Sequence, residues 1–122
     1  MILADTSVWI DHFRRGPASF ARRLEAGEVG THVVVIGELA TGNLLRRGET
    51  LAALRRLPRV QQGTSDECFA YLETHRLFGL GLGWNDIQLL VAAQLSRAEL
   101  WSLDRPLMAA AKKLDLLFID DA

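Results

Sequence analysis

Four carboxylates stand where the local sequence turns from apolar to polar. Asp5 ends "ILAD", Glu38 lies in "VVVIGELA", Asp86 closes "GLGLGWND" and Asp104 closes "ELWSLD". They are far apart in the chain, so joint chemistry requires a fold that gathers them. Gathered acids repel one another, and without a counter-charge their pKa values rise until some bind protons. Helix N-termini relieve about 0.3–1 kcal/mol each; a divalent cation relieves far more. Oxygen-only ligation, with no Cys or His, selects Mg²⁺ or Mn²⁺. Mg²⁺ keeps waters and borrows phosphate oxygens, so such a site suits phosphate-ester hydrolysis. Taken singly, each acid reads equally well as a helix-start residue or a solvated surface group. The residues alone leave both readings open.

The elements around them decide whether the acids can meet. Ile2–Ala4 reads as a short buried strand. Ser7 caps a helix to about Arg14, which Gly16-Pro17 ends. A second helix fits Ala18–Ala26, with Gly27 as its stop. "VGTHVVVI" is β-branched and predicts a strand over Val29–Val34. Helices are expected over Ile36–Arg46, Glu49–Leu57, Asp66–Phe78, Asp86–Ser96 with Asn85 as N-cap, and Arg105–Leu114. "RVQQG", "ELWSLD" and "LLFID" read as further strands, the second ending near Asp104. Short apolar strands alternating with helices predict an α/β fold whose parallel sheet is covered on both faces. Ligands in such sheets bind beyond the carboxyl ends of the strands. Asp5, Glu38, Asp86 and Asp104 all fall on that edge, and Asp120 and Asp121 would lie near it if the last strand is parallel.

At 122 residues the chain is expected to form one domain, 1–122, with a real core. A net charge of −1 provides no global attraction to nucleic acid. The charge is unevenly spread, and the N-terminal half carries the doublets Arg14-Arg15, Arg22-Arg23, Arg46-Arg47 and Arg55-Arg56. A single doublet is usually a solvated helix face. Around an acidic site, Arg14, Arg15, Arg46 and Arg47 could hold the phosphates flanking a scissile bond. The lone Cys68, the lack of a signal-peptide pattern and the lack of a long apolar run predict a cytoplasmic protein with no membrane segment. "GLGLG" lacks the third glycine of a dinucleotide loop, since Trp84 stands there. Cys68 and His75 share a helical face but two ligands do not make a zinc site. Ser7, Asp11 and His12 crowd one short helix and cannot form a triad. Leu44-Leu45 and Leu51/Leu54 read as core or dimer contacts.

"ILADTSVWIDHFR", "VVVIGELATGNLL", "NDIQLLVAAQL" and "LWSLDRPLMAAAKKLDLLFI", in that order, resemble the PIN domain, and within it the VapC toxins of bacterial toxin–antitoxin pairs. The resemblance covers essentially the whole chain. It implies a three-layer α/β/α ribonuclease fold with a Mg²⁺- or Mn²⁺-dependent acidic site. Residue by residue, it makes Asp5, Glu38, Asp86 and Asp104 the catalytic acids. Asp5, Asp86 and Asp104 hold the metal, while Glu38 helps bind it or orients the attacking water. Thr6 matches the hydroxyl residue beside the first acid, and Ser102 a phosphate- or water-contacting residue before the last. Trp84-Asn85 and the "GLGLG" lead-in depart from the family pattern, which has small residues before this aspartate.

The resemblance further implies a small VapB-like antitoxin whose C-terminal segment covers the site, a homodimer, RNA as substrate, and operator DNA bound only through the antitoxin. Two rival functions share this resemblance: an RNA-binding PIN module without catalysis, and a DNA-directed PIN-like nuclease. The first would need a missing acid, and the second extra helical segments to clamp a DNA junction.

Overall fold

The computed structural model describes residues 1–120. A parallel sheet lies at its centre, in the order β2-β1-β3. Strand β1 is Ile2–Ala4, β2 is Val29–Gly30 and β3 is Glu99–Trp101. Ile2 stands beside Val29 on one side and Glu99 on the other, and Ala4 beside Trp101. Single parallel bridges widen both edges, Thr31 to Arg59 and Leu100 to Leu117. Every residue of β1 is buried, as expected of a strand covered on both faces. The chain leaves β1 towards β2 on one side and returns through β3 on the other. β1 is therefore the point where the strand order reverses, and the carboxyl edge there is the natural crevice.

Seven helices cover the sheet: α1 (Thr6–Arg14), α2 (Ala18–Glu25), α3 (Val33–Ala40), α4 (Arg47–Arg56), α5 (Ser65–Thr74), α6 (Trp84–Ser96) and α7 (Arg105–Lys113). Helix α6 buries Ile87, Leu89, Leu90, Val91, Ala92 and Ala93, so it is apolar nearly all round. Phe20 is fully buried between Trp9 (ring centroids 5.0 Å) and Trp101 (5.4 Å), and Trp101 stacks on Phe118 (4.6 Å). This aromatic column fastens α1 and α2 to β3 and the last bridge.

Several boundaries differ from the sequence expectation. The β-branched run does not continue as a strand to Val34. The ring nitrogen of His32 accepts the Val34 N–H at 2.9 Å and starts α3, and Val35, Ile36 and Leu39 then bury a helical face. Strand propensity yields to packing context here. Helix α3 stops at Ala40 instead of Arg46, because Thr41 caps it and residues 41–46 turn into α4. Asp5, not Ser7, caps α1, and Gly83, not Asn85, precedes α6. "RVQQG" and "LLFID" run beside the sheet through one bridge each. Cys68 lies in the core and His75 stacks on Tyr71 at 4.3 Å. Leu54 is buried and Leu51 packs against the core, whereas Leu45 is almost fully exposed.

Candidate active site

The residue between β1 and α1 is Asp5, the N-cap of α1. Its Oδ1 accepts the Val8 N–H at 3.2 Å and the Ser7 hydroxyl, and its Oδ2 accepts the Ser102 hydroxyl. Ser102 follows β3 and in turn accepts the Asp104 N–H at 3.0 Å. Ser7 accepts the Leu103 N–H at 2.9 Å. Two serines thus tie the end of β1 to the end of β3. Asp104 caps α7, its Oδ2 accepting the Leu107 N–H at 3.2 Å. Asp86, the third residue of α6, reaches back instead, its Oδ2 accepting the N–H of the N-cap Gly83 at 2.8 Å. Asp5 and Asp104 thus cap helices and Asp86 lies in a first turn, where the positive dipole end favours a carboxylate. Glu38, on α3, accepts the Thr6 hydroxyl at 2.8 Å.

The acids feel one another. Burial is the main influence on Asp5, only 5% exposed, and pushes its carboxyl above the ordinary aspartate range. Hydrogen bonds from Ser102, Ser7 and Val8 draw it part of the way back, and the charge on Asp104 pushes it up again. Asp86 is raised first by burial, against the Gly83 hydrogen bond, and then by Asp104 and Glu38. Asp104 thus couples to both Asp5 and Asp86, and Glu38 joins through Asp86. The ion pairs lie elsewhere: Arg15 with Asp11, Arg23 with Glu28, and Arg23 with Asp120. Among the described residues, no Lys, Arg or His forms an ion pair with any of the four acids.

This donor set suits a hard cation that keeps part of its water shell. Among the described residues no three His, Cys, Asp or Glu side chains stand close enough to make a preassembled cage. Asp86 and Asp104 each leave Oδ1 without a hydrogen bond from the described residues. One or two carboxylates plus waters is the ordinary way Mg²⁺ is held.

The other expected site residues separate. Arg14 lines a groove of about 510 Å³ beside Glu38. Arg46 lines a neighbouring groove of about 550 Å³ with Trp9 and His12. Arg15 pairs with Asp11 at 3.4 Å and with none of the four acids. Arg47 donates to the carbonyls of Gly42 (3.2 Å) and Ala40, closing the end of α3, so its guanidinium is committed to the fold. Asp120 accepts the Ser19 hydroxyl at 2.7 Å and pairs with Arg23, on α2 and not among the acids; Asp121 lies outside the described residues. Sequence reasoning missed Ser7 as a support of the site. The signal was its position two residues after an acid, a spacing at which a hydroxyl reaches back to the carboxylate.

A parallel sheet whose reversal point carries Asp5 and Asp104, joined through Ser102, defines a class: an α/β protein with an acidic carboxyl edge. The family model described as "PIN domain" matches residues 2–113. Ribonuclease VapC32 of Mycobacterium tuberculosis, from strains CDC 1551 / Oshkosh and ATCC 25618 / H37Rv alike, is 41% identical over 111 residues, 90% of this chain and 90% of the relative. The solved structure of PAE2754 from Pyrobaculum aerophilum superposes with a TM-score of 0.57 over 93% of this chain and 85% of that one. At 15% identity that likeness speaks for the fold alone. The chain belongs to the PIN-domain family, among its VapC ribonucleases.

Proposed function

We propose that this protein is a Mg²⁺- or Mn²⁺-dependent endoribonuclease, the toxin of a type II toxin–antitoxin pair, working in the cytoplasm. The observation that supports the reading is the Ser102 hydroxyl joining Asp5 to the turn that Asp104 closes, with no ion-pair partner for Asp5, Glu38, Asp86 or Asp104 among the described residues. An arrangement that raises its own carboxyl pKa values is costly unless a cation completes it. A bound Mg²⁺ or Mn²⁺ supplies positive charge against the phosphate oxygens and lowers the pKa of a bound water.

The chain's own groups do the rest. Asp5, Asp86 and Asp104 would hold the ion, Asp5 being fixed by Ser7, Ser102 and Val8. Glu38, oriented by the Thr6 hydroxyl, orients the attacking water or takes its proton. Ser102 keeps the β3 end in register with Asp5. Arg14 contributes charge to the flanking phosphate from the groove beside Glu38. The product is a hydrolysed RNA phosphodiester.

The partner reading rests on shape. The grooves of about 550 and 510 Å³ share Phe13, Leu45 and Thr50 and run from Trp9 towards Glu38. An apolar antitoxin segment lying there reaches the acid edge and brings a basic side chain to it. Homodimerisation and operator binding through the antitoxin complete the proposal. Among the described residues no helix is long and apolar enough to cross a membrane.

The test is RNA cleavage by purified protein with Mn²⁺, with EDTA, and as Asp5→Asn and Asp104→Asn. Loss of cleavage in both variants and in EDTA, with unchanged circular dichroism, supports the assignment. Equal cleavage by parent and variants removes it. Calorimetry that detects no Mn²⁺ binding at millimolar concentration would favour an RNA-binding module without catalysis.

A further inference from the structure

The two departures from the family pattern, Trp84 and the glycine-rich lead-in, meet at one place. Trp84, the first residue of α6, stacks on Phe69 of α5 with ring centroids 4.7 Å apart and planes tilted by 33°. Both rings face solvent, Phe69 being 55% and Trp84 40% exposed. The other tryptophans, Trp9 and Trp101, are buried. Exposed aromatic pairs are unusual, since burial of such rings is among the strongest drives in folding.

The pair is fixed to the acid edge from two sides. Trp84 lies in the same helical turn as Asp86. The preceding loop turns at Gly79 and Gly81, both with positive φ (72° and 81°), conformations that glycine takes without strain. A side chain at Gly81 would meet Pro106 of α7 at 3.6 Å, so the loop lies against the helix that Asp104 caps. Arg105, between Asp104 and Pro106, has no ion-pair partner among the described residues. The ring pair heads the helix that carries Asp86, its lead-in loop lies against the helix that Asp104 caps, and Arg105 is the first residue of that same helix.

We propose that the Phe69–Trp84 pair is a stacking platform for one unpaired base of single-stranded RNA next to the scissile phosphate, with Arg105 holding the phosphate of that nucleotide. The inference deepens the ribonuclease reading and rests on it. Stacking tolerates any base because every base has a π-face, so the platform sets strand preference, unpaired over paired, more than sequence.

The experiment uses the full chain and an unstructured RNA dodecamer. In an Asp104→Asn background, binding is read by quenching of the exposed Trp84 emission and by anisotropy of labelled RNA. Trp84→Ala and Phe69→Ala are expected to weaken binding about tenfold each, and Trp84→Phe to restore most of it. An otherwise identical abasic strand should bind parent and Trp84→Ala alike. In the active background, Trp84→Ala should raise KM about tenfold and leave kcat within about twofold. Unchanged KM and unchanged binding in both alanine variants, with the parent still cleaving, overturn the platform and leave the ribonuclease in place. A parent that does not cleave RNA overturns both. A dimer that becomes monomeric on Trp84→Ala, with RNA affinity unchanged, makes the ring pair a self-association face and overturns the platform.

Discussion

Asp5 is asked to do two jobs, and replacing it separates them. Its carboxylate accepts the Val8 N–H, which starts α1, and bears a charge in a nearly closed site. Asn is as good an N-cap as Asp, whereas Ala costs about 1 kcal/mol at a cap, and the orphaned Ser7 and Ser102 hydroxyls add a similar amount. The charge works the other way. Folding raises the Asp5 pKa, so the native state holds that proton more tightly than the unfolded chain. The group's contribution to stability is full below the unfolded value of about 3.9 and is lost as pH rises through the folded value. At neutral pH and without a cation, ionised Asp5 is therefore a liability. Asp5→Asn should melt at or above the parent temperature in EDTA, and Asp5→Ala below it. Addition of Mn²⁺ at a hundred times its Kd should stabilise the parent by about 2.7 kcal/mol. That is a rise of about 10 °C for a chain of this size. Asp5→Asn should lose most of that rise together with RNA cleavage. Scanning calorimetry with and without Mn²⁺ decides. An Asp5→Asn protein that melts several degrees below the parent in EDTA, yet gains the full rise with Mn²⁺, would make Asp5 a structural cap and refute the reasoning.

Asp104 gives a similar contrast: Asn and Ala both abolish cleavage, but only Ala, which leaves the Leu107 N–H without its acceptor, should lower denaturant stability, by about 1 kcal/mol. His32 makes stability fall in acid. Burial first, and then the charge of Arg59, lower its pKa, and its neutral ring nitrogen accepts the Val34 N–H. The stability this provides is present above the unfolded value of about 6.5 and lost as pH drops below it, so urea midpoints measured from pH 7.5 to 5 should decline and His32→Asn should flatten that decline. Arginine substitutions should divide by role: Arg14→Ala raises KM for RNA and weakens its salt dependence with melting unchanged, while Arg47→Ala lowers the melting temperature by a few degrees through the freed Ala40 and Gly42 carbonyls.

The ends of β1 and β3 were legible because strand ends are marked twice, by apolar runs that stop and by acids that stop them. "ILAD" and "ELWSLD" both carry that mark, and the parallel pairing of β1 with β3 brings Asp5 and Asp104 to one edge. Glu38 was placed correctly on its helix although that helix begins three residues earlier than its composition suggests. The sequence there is ambiguous in kind: Val33-Val34-Val35 satisfies a strand or a buried helix, and only the His32 cap, a contact between a ring nitrogen and a backbone N–H, decides. The arginines were the least legible. A doublet says nothing of which guanidinium finds a carbonyl, so Arg46 and Arg47 looked alike and differ entirely. Ser7 was assigned the cap that belongs to Asp5, since Asp, Thr and Ser in succession are all good caps and the winner is set by where β1 ends.

The hydroxyl bridge from Ser102 to Asp5 joins residues near opposite ends of the chain. Asp5 is synthesised 97 residues before its companion Ser102, with α1 able to form behind it in the meantime. A stalled or truncated product therefore holds an incomplete set of acids and no register to align them. The network closes when β3 docks beside β1.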